Sequence, residues 1–568
     1  MPALVELRVL EGPNLYFPRA AVKLTLDVSA LTTCDEPQLR VLASALGLSV
    51  RAGEPRSGFR QRAVTRLVTR LVRRIAREAG TTRLGLRVRG TSDPDVVVVA
   101  FPWRDRNRAQ ALGEAVAVVL DSLDATRPTD LGALVADAAA KVAGTEPGPG
   151  PTTIRPRVPV VAVTGTNGKT TTSRMIAHIA REAGFLVGWS NTDGIYVDGE
   201  LVEPGDYSGP SGAGRVLGHP EVDFAVTETA RGGILFKGIG ITHNDVSVVT
   251  NVSADHLGLQ GIDTVDQLAE VKAVVPRITK KSGWAVLNAD DPRVFAMRLA
   301  TPARPWVFSR DPTAPGLRDV LSHGGRATTV IDGWICVLEG SRTDPLVELV
   351  DVPMTLSGLS RFNVENALAA ASAALAAGIT REHVVRGLRT FLPDAEHNPG
   401  RMNFFTLPGA GGDITVVMDL AHNEAGLEAL IEIMRGVRPP GRRLLLGLGV
   451  VGDRQDDLVE LLGEIAARDA DVVAIGHKEK YLRGRTIEEL DGLLRTGAER
   501  VGVTDIETFP TELASLQALV AQADPGDVVG LMCHAEREAV YDWLARSDAT
   551  PDTPDQLRDK VRRADPRG

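Results

Sequence analysis

Residues 158–172, VPVVAVTGTNGKTTT, could cradle a phosphate. An apolar, β-type run over 158–163 leads into Gly165, Thr166, Asn167, Gly168, Lys169, Thr170 and Thr171, and a helix-like stretch follows over 173–183. In such an arrangement glycines let backbone N–H groups turn inward, the lysine offers a point charge to the terminal phosphates, and the threonine hydroxyl can sit on Mg²⁺. The general pattern G-x-x-x-x-G-K-[ST] is not met, because Val163 stands where its first glycine belongs. A glycine turn before an ordinary helix is the bland alternative. The preceding β run and the following Lys-Thr favour nucleotide binding.

Three further side chains fall at positions where chemistry is expected. Glu228 ends the apolar run 222–227, and a carboxylate at the end of a parallel strand lies at the sheet edge where ligands bind. It is placed to share Mg²⁺ with Thr170. The next run, 246–250, leads to Asn251, Asp255 and His256. Alone, His256 reads as a surface or core histidine; after a strand in this order, a second metal role becomes reasonable, although Mg²⁺ ordinarily takes oxygen ligands. Thr264 and Gln267 have capping-box spacing and open a helix that carries Lys272, by spacing a solvated helix lysine.

The elements that would position these residues form an α/β chain. Strand signals at 158–163, 224–227, 246–250 and 284–287 alternate with helical ones, which predicts a parallel sheet covered on both faces. Residues 327–338, centred on Asp332-Gly333, read as a hairpin, and 363–377 as an alanine-rich helix. A second βα series has strands at 414–419, 443–449, 472–475 and 528–532, with helices near 425–434, 458–467 and 513–523. It predicts a smaller Rossmann-like domain with no second P-loop, facing the first across a cleft. Before the P-loop lies a small α+β domain, with strands at 20–28, 84–88 and 96–101 and helices at 63–79 and 109–123. The helix 63–79 and the residues just before it carry Arg60, Arg62, Arg66, Arg70, Arg73, Arg74 and Arg77, read as a solvated face in preference to a docking surface for an acidic polymer. The expected divisions are 1–143, a linker at 144–157, 158–397, 398–548, and a disordered tail at 549–568.

Bulk properties narrow the class. At 568 residues the chain holds about three or four domains. Its 43% hydrophobic and 24% charged content is ordinary for a globular protein, and no uncharged apolar run is long enough to span a membrane. The N-terminus lacks signal-peptide character. Cys34, Cys336 and Cys533 match no metal spacing and read as buried hydrophobes, which suits a cytoplasmic location. A net charge of −9 argues against a dedicated nucleic-acid binder.

The segments GTNGKTTT, ETARGGIL, NVSADHLGL, LAEVKAVV and LNADDPRV, in this order, resemble the Mur ligase family of ATP-dependent amide-forming enzymes. NTDGIYVDG (191–199), GDYSGPSGAGRVL (205–217), DHLGLQGIDTVDQLAEVKAVV (255–275), PGRMNFF (399–405), DLAHNEAGLEAL (419–430) and LRGR (482–485) resemble the Mur-like half of the cyanophycin synthetases. The opening LEGPNLYFPRAAVKLTLD is similar to the start of those enzymes. Two departures stand out. Leu420 follows Asp419 where the family has tyrosine. Only about 40 residues separate the last predicted N-terminal helix from the P-loop, whereas the ATP-grasp domain found there in cyanophycin synthetases needs ~50–250.

The resemblance implies a role for each candidate. Gly165 to Thr171, Lys169 above all, would hold the phosphates of ATP. Thr170 and Glu228 would hold one Mg²⁺, and His256 would help hold a second. Lys272 falls where the family carries a carbamylated lysine that supports the metal. Asn366 would contact adenine, and Arg401 and Asp419 would reach the nucleotide from the hinge and the C-terminal domain. His422 and Asn423 lie where the incoming substrates should meet. The implied reaction joins an amino acid to a carboxylate of a peptide or other acidic acceptor through an acyl phosphate. The expected partners are those substrates, with a second copy of the chain or a separate ligase as protein partners, and neither nucleic acid nor membrane. Two other readings compete with a ligase: a non-catalytic Mur-like partner of another ligase, and a P-loop ATPase doing mechanical work.

Overall fold

The computed structural model describes residues 2–123, 130–255, 257–409, 411–452 and 454–564. Three sheets carry the architecture. In the N-terminal unit, strands Leu4–Leu10, Ala21–Asp27, Val96–Pro102 and Arg87–Gly90 pair antiparallel in that spatial order. Helices Gly58–Glu78, Arg106–Asp121 and Leu131–Gly144 cover it. Helix Gly58–Glu78 buries Val64, Leu67, Val68, Leu71, Val72 and Ile75, the helical period expected, and Gly80 closes it in the left-handed region at φ +94°. Arg60 departs from the solvated face expected of this helix. It is 1% exposed, and its guanidinium donates to the carbonyls of Ala52, Gly53 and Cys34, so it acts as an internal strut.

The central sheet has eleven strands. Seven run parallel in the spatial order Val187–Ser190, Phe224–Glu228, Val160–Thr164, Asn244–Val249, Thr279–Asn288, Arg304–Ser309 and Arg326–Ile331. Antiparallel strands extend both edges, so the sheet is mixed at its margins and parallel where the ligand edge lies. The hairpin between Arg326–Ile331 and Trp334–Glu339 turns at Asp332 and Gly333, both with positive φ (+48° and +78°), as the Asp-Gly pair predicts. Helices Lys169–Glu182 and Arg361–Ala376 pack together on one face. The second buries an unbroken alanine-rich run, Ala367 to Ala371, whose small side chains allow close approach to the strands beneath.

The C-terminal sheet has seven strands. Glu507–Phe509, Val472–Gly476, Leu444–Leu448, Val528–Met532 and Ile414–Asp419 run parallel, with Asn403–Leu407 and Thr550–Pro551 added antiparallel.

The structure corrects the expectation for the tail and shows how the linker is held. The tail expected to be disordered pairs at Thr550–Pro551 with Asn403–Leu407, then forms helix Pro554–Ala564, with Leu557 buried at 2% exposure. Its last residues, 565–568, lie outside the described residues. The linker is a fixed strap: the amides of Arg106 and Asn107 donate to the carbonyls of Pro149 and Pro147, and Ile154 bridges to Ile241 of the central domain. The N-terminal unit also docks directly. The amide of Glu11 donates to the Lys237 carbonyl, that of Ile239 to the Pro13 carbonyl, and a Cβ on Gly12 would lie 1.9 Å from the Ile239 oxygen.

Candidate functional site

Strand Val160–Thr164 delivers the chain into the glycine loop, and helix Lys169–Glu182 leaves it. Two glycines make the loop. At Gly165 (φ +152°) a Cβ would meet Thr250 Oγ1 at 1.8 Å; at Gly168 (φ +83°) it would meet Asn366 Oδ1 at 2.2 Å. The loop is clamped to the chain that leaves the neighbouring parallel strand. The Asn167 amide donates to Asn251 Oδ1 (2.9 Å), Asn251 Nδ2 to the Asn167 carbonyl (3.1 Å), and Thr250 Oγ1 to the same carbonyl (2.6 Å). Lys169 Nζ lies against the Thr166 carbonyl at 2.8 Å.

Glu228 ends strand Phe224–Glu228 beside this loop, and the two strands are paired in register at Val163 and Glu228. Thr170 Oγ1 donates to Glu228 Oε2 at 2.9 Å. Glu228 is 1% exposed, and its Oε1 is buried without a partner among the described residues. Burial raises the carboxyl above its ordinary pKa, and Lys169 and Arg401 oppose the rise. A buried carboxylate oxygen with no donor among the described residues, next to a threonine hydroxyl, offers the oxygen ligands that a hard cation takes. Among the described residues no cluster of three His, Cys, Asp or Glu side chains that could hold a metal is found. His256 lies outside the described residues.

Lys272 is not the solvated lysine its spacing suggests. It is 4% exposed, its Nζ donates to the Gly165 carbonyl at 2.6 Å, and burial together with Lys169 lowers its pKa to about 7. The Thr264–Gln267 capping box opens its helix as expected.

Arg401 reaches in from the start of the C-terminal domain. Its Nη2 donates to Thr170 Oγ1 at 3.4 Å, and its Nε is buried without a partner among the described residues. Asp419 Oδ2 accepts the Met402 amide at 2.8 Å and so fixes the segment that bears Arg401; burial raises this carboxyl to about 6. Gly165 to Thr171, Glu228, Lys272, Arg401 and His422 share one cleft of about 1250 Å³ between the central and C-terminal domains. Asn366 and Asp419 line a smaller cavity of about 90 Å³ together with Gly168, Thr171 and Arg401. Asn366 Nδ2 donates to Asn363 Oδ1 and its Oδ1 accepts from Thr172 Oγ1, which orients the amide.

Polar links hold the two domains across the cleft: Asn423 Nδ2 to Asn167 Oδ1 (3.1 Å), Arg454 to Asp255 (2.8 Å) and Arg537 to Asp193 (2.8 Å). Asp193 also pairs with the buried Arg174 at 2.5 Å. Two groupings escape sequence reasoning. One is this Arg174–Asp193–Arg537 chain. The other is Lys478, Glu512 and His534, which converge from three separate elements behind the cleft wall. His534 follows the end of a parallel strand, the same position that singles out Glu228, and that signal could have found it.

Residues 163–374 match the model of the Mur ligase middle domain, and 400–534 that of the Mur ligase glutamate ligase domain. The chain is 41% identical over 389 residues to a cyanophycin synthetase of Crocosphaera subtropica, an alignment that covers 68% of this chain and 43% of that enzyme. It therefore spans less than half the length of that relative. It is 28% identical over 415 residues to the UDP-N-acetylmuramoyl-L-alanyl-D-glutamate–2,6-diaminopimelate ligase of Corynebacterium efficiens, covering 71% of this chain and 74% of that one. Among solved structures, E. coli FolC in complex with DHPP and ADP superposes with a TM-score of 0.50 at 20% identity, over 69% of this chain and 90% of FolC, a likeness of fold.

Proposed function

The chain belongs to the Mur ligase family, and from that premise we propose that it joins an amino acid to a carboxylate of a peptide or amino-acid-like acceptor, using ATP and releasing ADP and phosphate. The observation that carries the proposal is the pair at the foot of the glycine loop: the Thr170 hydroxyl beside a buried Glu228 whose Oε1 has no donor among the described residues, in a cleft that Arg401 enters from the second domain.

In this reading the loop amides and Lys169 hold the terminal phosphates of ATP. Thr170 and Glu228 would hold Mg²⁺, with His256 and a carbamylated Lys272 as further support. When bound, the ion offsets negative charge on the transferring phosphoryl group. The acceptor carboxylate takes the γ-phosphoryl group, giving an acyl phosphate and ADP. The free amine then attacks the activated carbonyl, and loss of phosphate leaves the amide. Asn366 and Asp419 would meet the adenosine end in the smaller cavity, and His422 and Asn423 stand on the side where the amine arrives. The two-domain cleft positions the partners and keeps water from the acyl phosphate. The presence of Lys169, Thr170, Glu228 and Lys272 in one place argues against a non-catalytic partner.

The test is phosphate release from ATP and Mg²⁺ across a panel of amino acids, with and without short acidic peptides, for the wild type and Lys169→Ala. Release that requires one amine and one acid together, and is lost in the variant, supports the ligase. Release indifferent to both points to an ATPase, and no release despite ATP binding points to a non-catalytic partner.

A further inference from the structure

His534 stands in the wall of the main cleft, at 8% side-chain exposure, and its two ring nitrogens meet different surroundings. Nδ1 contacts Lys478 Nζ. Nε2 is buried and has no partner among the described residues. Lys478 is itself buried, and its Nζ faces the carbonyls of Gly449 (3.0 Å) and Met532 (3.2 Å) and the carboxylate of Glu512 (3.2 Å) as well as the imidazole. Two carbonyls, one carboxylate and the imidazole converge on one nitrogen. A neutral amine has two hydrogens to give; an ammonium has three, and no lone pair. The carboxylate is also fixed: Glu512 accepts the amides of His534 (2.7 Å), Ala535 (2.9 Å) and Glu536 (2.9 Å), and although burial opposes ionisation, the His534 ring 3.7 Å away, Lys478 and the His534 amide hold it well below the usual carboxylate range. Burial lowers the Lys478 pKa, but the Glu512 carboxylate 3.2 Å away opposes that and keeps it the charged partner, which can only donate to Nδ1.

We propose that the Lys478–Glu512 pair locks His534 in its neutral tautomer with the proton on Nε2, and that this N–H is a hydrogen-bond donor to an anionic oxygen of the reacting substrates. Burial and the neighbouring ammonium oppose a second proton on the ring and lower its pKa to about 4. In the same cleft His422 has the complementary form. Its Nδ1 lies 3.2 Å from the Leu420 carbonyl, which can only accept, so a neutral ring leaves the lone pair on Nε2. The cleft thus holds one imidazole that donates and one that accepts. The anionic oxygen belongs either to the carboxylate of the incoming amino acid or to the acyl phosphate and the tetrahedral species that follows it. This inference rests on the ligase reading for its substrates and on the geometry alone for its tautomer.

Long-range ¹H–¹⁵N correlation spectra of ¹⁵N-histidine-labelled protein, assigned by comparison with His534→Gln, read the tautomer directly. The expected result is a His534 with Nε2 protonated and Nδ1 bare across pH 6–8, and a changed pattern in Lys478→Met. A protonated Nδ1 in the wild type overturns the proposal. Kinetics supply the second arm. His534→Leu should lower kcat/KM about 10²-fold, the usual effect of losing one donor to a developing anion, whereas His534→Gln, which keeps an N–H near the Nε2 position, should recover most of it. A loss confined to the KM of the amino acid assigns the oxygen to its carboxylate; a loss in kcat assigns it to the acyl phosphate or the species that follows. Wild-type rates in His534→Leu overturn the donor role. Absence of any turnover in the wild type would overturn the ligase reading instead, and the spectra would still decide the tautomer.

Discussion

Thr170 Oγ1 donates to one oxygen of Glu228 across 2.9 Å, and the other oxygen of that carboxylate is buried with no donor among the described residues. The hydroxyl and the carboxylate come from adjacent parallel strands, one through the glycine loop and one directly. Leaving a buried carboxylate oxygen unpaired costs on the order of 1–3 kcal/mol, a cost that a bound cation would remove.

Glu228→Gln therefore separates function from stability. The amide keeps the shape and a hydrogen bond to Thr170 but loses the charge that would hold Mg²⁺. Turnover should fall about 10²-fold or more at saturating ATP. The melting temperature of the metal-free protein should not fall, because the substitution removes a charge that burial disfavours. An activity loss accompanied by an equal loss of stability would contradict the metal-site assignment.

Lys272 gives a pH dependence with a definite sign. Carbamate forms from CO₂ and the neutral amine. Burial depresses the ammonium's pKa from 10.5 to about 7, so the neutral fraction rises from roughly a tenth at pH 6 to roughly nine tenths at pH 8. In ¹³C-bicarbonate, a carbamate carbonyl resonance should grow over that interval and be absent in Lys272→Met. No such resonance at pH 8 would leave Lys272 as a bare amine tied to the Gly165 carbonyl.

The loop at Gly165 to Thr171 and the strand-end position of Glu228 are legible from local pattern, because glycine placement and strand ends are local properties. Lys272 is not: its spacing reads as surface, and only the fold wraps its helix under the loop. Arg401, Asn366 and Asp419 lie far along the chain from the loop and are legible through resemblance alone. Lys478, Glu512 and His534 meet only after three strands and their connections have packed, and no window of sequence contains them. Arg60 and the tail were misread for one reason: a charged composition suggests solvent, yet a single guanidinium can satisfy buried carbonyls, and two apolar residues four apart suffice to seat a short helix.

That seat makes a prediction. Leu557 is buried against the C-terminal domain, Val561 lies one turn on, and Lys560 pairs with Asp552. Leu557→Ala should destabilise the C-terminal domain by about 2–4 kcal/mol, read as a lower midpoint in urea. A midpoint unchanged from wild type would mean that the helix does not dock in solution.

The Asp193–Arg537 pair should set how readily the two domains close. Asp193 is held on the central domain by Arg174, so its second oxygen presents a fixed acceptor to Arg537 across the cleft. Arg537 is a quarter exposed, which limits the pair to about 1 kcal/mol, or roughly fivefold in a closing equilibrium. Arg537→Gln is the better probe than a change at Asp193, because it leaves the buried Arg174 with its partner. The expected outcome is a fall of about fivefold in kcat/KM and a weaker dependence of that parameter on salt, since one of the screened interactions is already gone. Small-angle scattering of the free protein should show a more extended average form for the variant. Equal salt dependence in the two proteins, with superimposable scattering, would show that the link across the cleft does not govern closure.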